Sequence, residues 1–85
     1  MTEVVIIDAA RTPVGRRKGW LRETHPVKLG AHAVRAVLER TGLAPELVEH
    51  VIFGCVSQVS EQAFNVARNV TLEARLPIDV PATSV

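Results

Sequence analysis

An α/β fold of β-α-β-α-β order is predicted by three observations in this 85-residue chain. Continuous apolar runs stand at Val4-Val5-Ile6-Ile7 and Val51-Ile52-Phe53, and a third extended stretch runs from Val80 to Val85. The segments between them carry apolar residues at helical spacing, and glycine or proline marks most of the boundaries. Strands that alternate with helices form parallel sheets through right-handed crossovers, and such sheets need helices over both faces.

Val4 to Ile7, a β-branched run closed by Asp8, Thr12-Pro13 and Gly15, reads as a strand buried on both faces. The following RTPVGRRKGWLRETHP mixes Gly, Pro and charge without periodicity, so it is a long loop of the kind that is often functional or contacts partners. From Pro26 to Thr41, Ala33, Val34, Val37 and Leu38 make an apolar stripe opposite Lys28, His32, Arg35 and Glu39. That is an amphipathic helix, started by Pro26 and ended by Gly42. Pro45 to Val48 is a short turn into the strand Val51 to Phe53, which Gly54 ends. GCVSQVSEQ is an irregular link. Gln62 to Ala74 returns to helical spacing through Phe64, Ala67, Val70 and Thr71, with Pro77 as its stop. Val80 to Val85 is the last strand, left as an open edge that invites pairing. No repeat or second domain is visible.

The composition, 47% hydrophobic and 22% charged with a net charge of +1, fits a globular chain and excludes collagen-like or disordered classes. At this length, folding buries roughly 60–65% of the unfolded surface. The apolar start is too short for a signal peptide or a membrane span, so a cytoplasmic location is expected. A single cysteine makes no internal disulfide, and His25, His32 and His50 have no partner at zinc-ligand spacing. Asn69-Val70-Thr71 matches a glycosylation acceptor by chance, inside an expected helix.

Four groups carry candidate chemistry. Cys55 follows Gly54 at a strand end, but its sequence neighbours His50 and Glu61 offer no arrangement that stabilises a thiolate, so it reads as a structural cysteine. Arg11, Arg16, Arg17, Lys18 and Arg22 surround Trp20 in one loop. Such a patch can meet phosphate or stack on a base, yet no nucleic-acid motif surrounds it, and a solvated loop or oligomer contact is the plainer reading. The histidines lack a serine, cysteine or acid arranged as a catalytic pair. Gln58, Glu61, Gln62, Asn65 and Arg68 could organise either a site or an interface.

Together these segments resemble the amino-terminal part of the thiolase family, the acetyl-CoA C-acetyltransferases and 3-ketoacyl-CoA thiolases. VVIIDAARTPVGRRKGWL is similar to the family's opening strand, then A-x-R-T-P-x-G and G-x-L. VEHVIFGCVSQVSEQAFNVARN is similar to its second strand, G-x-V-x-Q, an acidic residue and N-x-A-R. VPATSV is similar to the strand that leads to the nucleophile. Residues 1–85 are therefore expected to form an incomplete portion of a thiolase-like parallel or mixed sheet with covering helices, an amino-terminal fragment of the thiolase N-terminal domain.

By that resemblance the nucleophilic cysteine lies a few residues past Val85, in a stretch such as V-N-R-Q-C-G-S-G, while the histidine and second cysteine belong to the carboxy-terminal half of the family chain. No residue of this chain is thus assigned a catalytic, cofactor-binding or metal role. Arg11, Thr12, Pro13 and Gly15 match a motif that shapes the turn out of the first strand; Gln58, Asn65 and Arg68 match supporting positions near the catalytic helix and dimer contact. Cys55 aligns with neither catalytic cysteine, Ser60 stands where many members have glycine, and Ala82-Thr83-Ser84 replaces the common G-T-T. The resemblance implies coenzyme A thioesters as substrates, with no bound cofactor. It also implies acyl transfer by thiolytic cleavage or Claisen condensation in lipid metabolism such as fatty acid β-oxidation, and a dimer or tetramer when complete. Neither nucleic acid nor membrane is an expected partner, and the chain alone is expected to be inactive. A non-catalytic module that pairs with a full-length thiolase subunit is the alternative.

Overall fold

The computed structural model describes residues 3–85. Helix α1 spans Pro26–Thr41, as its stripe predicts. Pro26 opens it, and His25, in extended backbone, caps it by accepting the Val27 amide at Nδ1 over 3.2 Å. Gly42 closes it at φ 68°, its amide donating to Leu38 O over 3.0 Å. A 3₁₀ turn, Pro45–Leu47, then leads into strand β1, Val51–Phe53.

Strand β2, Ala82–Ser84, lies parallel to β1, with Val51 opposite Ala82, Ile52 opposite Thr83 and Phe53 opposite Ser84. The ladder continues past both strands: Val51 N donates to Pro81 O, Val85 N to Phe53 O and Cys55 N to Val85 O, at 2.7 to 3.0 Å. Helix α2, Val66–Glu73, is the crossover between them. It packs on α1 and on the inward face of the pair, where Val66, Ala67, Val70 and Thr71 are buried. Phe53 reaches that core, whereas Ile52, Thr83 and Val85 face outward and are exposed. Both helices therefore cover one face, and the other is bare among the described residues.

Helix α2 is shorter at both ends than its apolar spacing predicts. Ser60–Gln62 form a 3₁₀ turn, Ala63 is extended and Phe64 has φ 60°, so helical backbone cannot begin before the cap at Asn65. At the other end Arg75 takes φ 63°, with Leu76 N bonded to Thr71 O and Arg75 N to Leu72 O. This paired bond pattern around a left-handed residue is a Schellman stop, reached before Pro77 and sealed by burial of Leu76. Arg35, expected on the solvent face of α1, donates to Glu73 O over 2.8 Å and Ala74 O over 3.5 Å, joining α1 to the carbonyl end of α2.

The first predicted strand is the correction. Val4 to Ile7 belongs to no ladder, and its side chains stand in solvent, Val4 95% and Ile6 92% exposed. A β-branched run favours extended backbone, but a strand exists only through hydrogen bonds to a neighbour, and β1 is paired here on one edge alone. The segment is tethered just beyond the run, where Arg40 donates to Ala9 O over 2.9 Å and pairs with the Asp8 carboxylate over 3.4 Å. The remaining architecture is a small α/β unit of two helices and a two-stranded parallel sheet.

Candidate functional site

In open parallel sheets, ligands gather at the carboxyl ends of the strands. Here that edge brings together Gly54-Cys55 after β1, Ser84-Val85 at the end of β2, and Asn65 at the start of α2. Asn65 holds them. Its Oδ1 accepts the Arg68 amide (3.2 Å) and the Ser84 hydroxyl (2.8 Å), and its Nδ2 donates to Ala82 O (2.9 Å). Ser84 Oγ in turn accepts the Ala67 amide over 3.0 Å, and Arg68 Nη1 donates to Val80 O over 3.2 Å. Two first-turn amides of α2, which have no helical acceptor, are thus spent on Asn65 and Ser84. The node fixes where β2 runs beside the helix.

Cys55 packs against the core cluster, and its single S–H has two acceptors within reach, Gln62 Oε1 at 3.1 Å and Ser57 O at 3.4 Å. Both are acceptors, so the sulfur is a seated donor with no base upon it. Glu61 instead lies 4.0 Å from His25 Nε2, on the far side of that capping ring from Val27. His50 Nε2 meets Thr83 Oγ1 at 3.0 Å on the bare face, and His32 is exposed on α1. Gln58 is exposed on the link, apart from the Asn65–Arg68 node in its bonding. Asn69 lies within α2. Arg16, Arg17, Lys18, Trp20 and Arg22 remain together in the exposed loop before α1. Among the described residues no group of three His, Cys, Asp or Glu side chains could hold a metal ion.

Of the residues singled out in the sequence, the structure joins Asn65 to Arg68, Cys55 to Gln62 and His25 to Glu61, and leaves the three histidines apart from one another. Ser84 is the residue that sequence reasoning missed. Its signal is the register: only when β2 lies parallel beside the capped start of α2 does an inward Ser84 meet Asn65, and no local pattern announces that meeting.

The arrangement is a parallel β-α-β unit whose carboxyl edge is tied together by the Asn65–Ser84 node. The chain belongs to the thiolase family: residues 4–85 match the family model described as Thiolase, N-terminal domain. Over 87 residues it is 47% identical to a 3-ketoacyl-CoA thiolase of Pectobacterium carotovorum subsp. carotovorum (strain PC1), covering 100% of this chain and 22% of the relative. It is 49% identical over 85 residues to the Steroid 3-ketoacyl-CoA thiolase FadA6 of Mycobacterium tuberculosis (strain ATCC 25618 / H37Rv), covering 100% of this chain and 21% of that protein. A 3-ketoacyl-CoA thiolase of Yersinia pestis (strain Pestoides F) is 48% identical over 87 residues, again with 100% and 22% covered. The chain spans about a fifth of the length of these relatives.

Proposed function

We propose that this chain is the amino-terminal scaffold of a thiolase-type acyltransferase acting on 3-ketoacyl-CoA. In that chemistry a cysteine thiolate takes the acyl group as a thioester and passes it to coenzyme A, and a placed helix start and oxyanion donors stabilise the charged states. The observation that carries the reading is the family match across residues 4–85, with 47–49% identity to thiolases whose names specify 3-ketoacyl-CoA. The role of these residues is positional. The Asn65–Ser84 node fixes the carboxyl end of β2, and Cys55, whose thiol is seated between the Gln62 and Ser57 oxygens with no base beside it, serves packing and is not the nucleophile.

Two measurements test this. The purified 85-residue chain is expected to give no thiolysis of acetoacetyl-CoA. Grafted in place of the matching segment of the Pectobacterium relative, it is expected to yield an active enzyme, with acetoacetyl-CoA consumption dependent on coenzyme A. Turnover by the short chain alone, or a folded but inactive chimera, counts against the scaffold reading.

A second reading, a non-catalytic module that pairs with a full-length thiolase subunit, is favoured by one feature: the exposed Ile52, Thr83 and Val85 face together with the unpaired Val4 to Ile7 run. Retention of a co-expressed full-length thiolase on the tagged chain supports that module; failure of the pair to co-purify removes it.

A further inference from the structure

The segment from Arg11 to Arg22 holds five of the chain's ten cations and none of its nine acids, which leaves five cations against nine acids elsewhere. The near-neutral total therefore hides a polarised molecule. Successive turns shape the loop: Gly19 N donates to Arg16 O (2.9 Å), Arg22 N to Gly19 O (3.2 Å) and Thr24 N to Leu21 O (3.0 Å). Leu21 folds onto Gly15 so closely that a Cβ there would stand 3.1 Å from Leu21 Cβ. The result is a knob around an open cavity of about 530 Å³ whose rim includes Arg16, Lys18, Trp20 and Arg22. Trp20 is 100% exposed and Val14 is 90% exposed.

Three kinds of anionic partner fit such charge, and the geometry separates them. A discrete phosphate needs convergent donors, but the Gly19, Arg22 and Thr24 amides are spent on carbonyls, and Arg22 Nη1 turns onto Lys18 O and Gly19 O. Single-stranded nucleic acid is held by successive aromatic platforms along a basic groove, whereas Trp20 is the loop's sole aromatic residue. A lipid surface asks for what the loop has: an indole and an aliphatic side chain free to enter the headgroup layer, with cations beside them. The acid-rich remainder of the chain, repelled by the same surface, orients the knob toward it.

We infer that the Arg11–Arg22 loop is a peripheral docking site for an anionic lipid surface. Trp20 and Val14 enter the interface, and Arg16, Arg17 and Lys18 pair with headgroup phosphates and carboxylates. This revises the expectation that no membrane is a partner. The chain lies on the surface: among the described residues no helix is long and apolar enough to cross it. The inference stands apart from the thiolase reading, since it uses none of the residues at the carboxyl edge.

Trp20 is the chain's one tryptophan, so its emission reports docking directly. Vesicles of phosphatidylserine with phosphatidylcholine are expected to shift the emission to the blue and to co-sediment the chain, while pure phosphatidylcholine vesicles do neither. Each cation near such a surface is worth roughly fivefold in partitioning, so Arg16→Gln with Arg17→Gln is expected to weaken co-sedimentation roughly 25-fold. Salt near 1 M, where the Debye length falls to about 3 Å, weakens it as well. Trp20→Ala reduces co-sedimentation, and Arg75→Gln, an exposed cation outside the loop, leaves it unchanged. All these positions are exposed, and circular dichroism checks that the variants keep the parent fold. Equal binding to both vesicle types, binding indifferent to the loop variants, or a Trp20 shift with polyuridylate RNA but not with vesicles overturns the inference.

Discussion

Asn65 is a single side chain on which three separate constraints meet. It caps α2, receives the Ser84 hydroxyl and holds the Ala82 carbonyl, so its removal should cost more than an ordinary cap. Losing a cap costs about 1 kcal/mol and each further partly buried hydrogen bond about as much again, less what water recovers. Asn65→Ala is therefore expected to lower stability by about 2 kcal/mol in urea unfolding. Asn65→Asp, which keeps both acceptor roles and loses only the donor to Ala82, should lose about half of that; no loss would show that the cap and the Ser84 bond carry the effect, and a loss equal to that of Asn65→Ala that the bond to Ala82 carries it. Backbone conformation gives the opposite sign at two other residues. Ser60 has φ 55° and Arg75 φ 63°, a region that costs an L-residue with a Cβ roughly 1–2 kcal/mol, part of which glycine returns as unfolded-state entropy. Ser60→Gly and Arg75→Gly are each expected to raise stability by up to about 1 kcal/mol in the same urea assay. This conformation also gives a physical reason for the glycine that many thiolases place where Ser60 stands.

Between elements, the tightest approach is that of α1 to α2 at Gly30. A Cβ at Gly30 would lie 2.9 Å from Val70 Cγ2, and Val70 is 1% exposed and β-branched, so it has little room to turn. Replacing a glycine inside a helix with alanine ordinarily gains about 1 kcal/mol. Overpacking costs typically 1–3 kcal/mol, so the contact wins. Gly30→Ala is expected to destabilise by about 1 kcal/mol, and to become stabilising when Val70→Ala makes room, as a urea double-mutant cycle would show. The sequence made α1 legible to the residue, because its period, Pro26 and Gly42 all act within one helix. It made β1 legible through its apolar run closed by Gly54, and the parallel crossover through the strand–helix–strand order, which admits few topologies. It could not place Gly30 against Val70, or Ser84 against Asn65, because those meetings depend on how two elements sit together. The start of α2 was misread because helical spacing at Phe64 hid a backbone turn, and its end because Arg75 does without glycine what glycine usually marks. Val4 to Ile7 shows the same limit from the other side: its residue types specify extended backbone, but no residue type specifies a partner strand.

For the molecule as a whole, surface area decides what kind of object the isolated chain is. A folded monomer of this mass exposes roughly 5,000 Å². This one exposes 6922 Å², so about half of the unfolded surface is buried, where its length predicts more. The radius of gyration, 13.7 Å against roughly 12 Å for a compact chain of this length, and extents of 48 × 25 × 22 Å agree. The excess, about 1,900 Å², is more than twice what one partner contributes to an interface of standard size. Much of it is apolar: Val4 to Ile7, Ile52, Val56 and Phe64 stand in water, and a contiguous β-branched run is a template for pairing. The 85-residue chain alone is thus expected to bind an apolar dye, to associate as concentration rises in sedimentation velocity, and to melt over a broad range. Val5→Lys with Ile7→Lys should reduce the association without altering helix content, since neither side chain is buried. A monodisperse monomer with a sharp, cooperative melt and no dye binding would mean that the small core around Val70 suffices by itself, and the open surfaces would then need no cover to explain them.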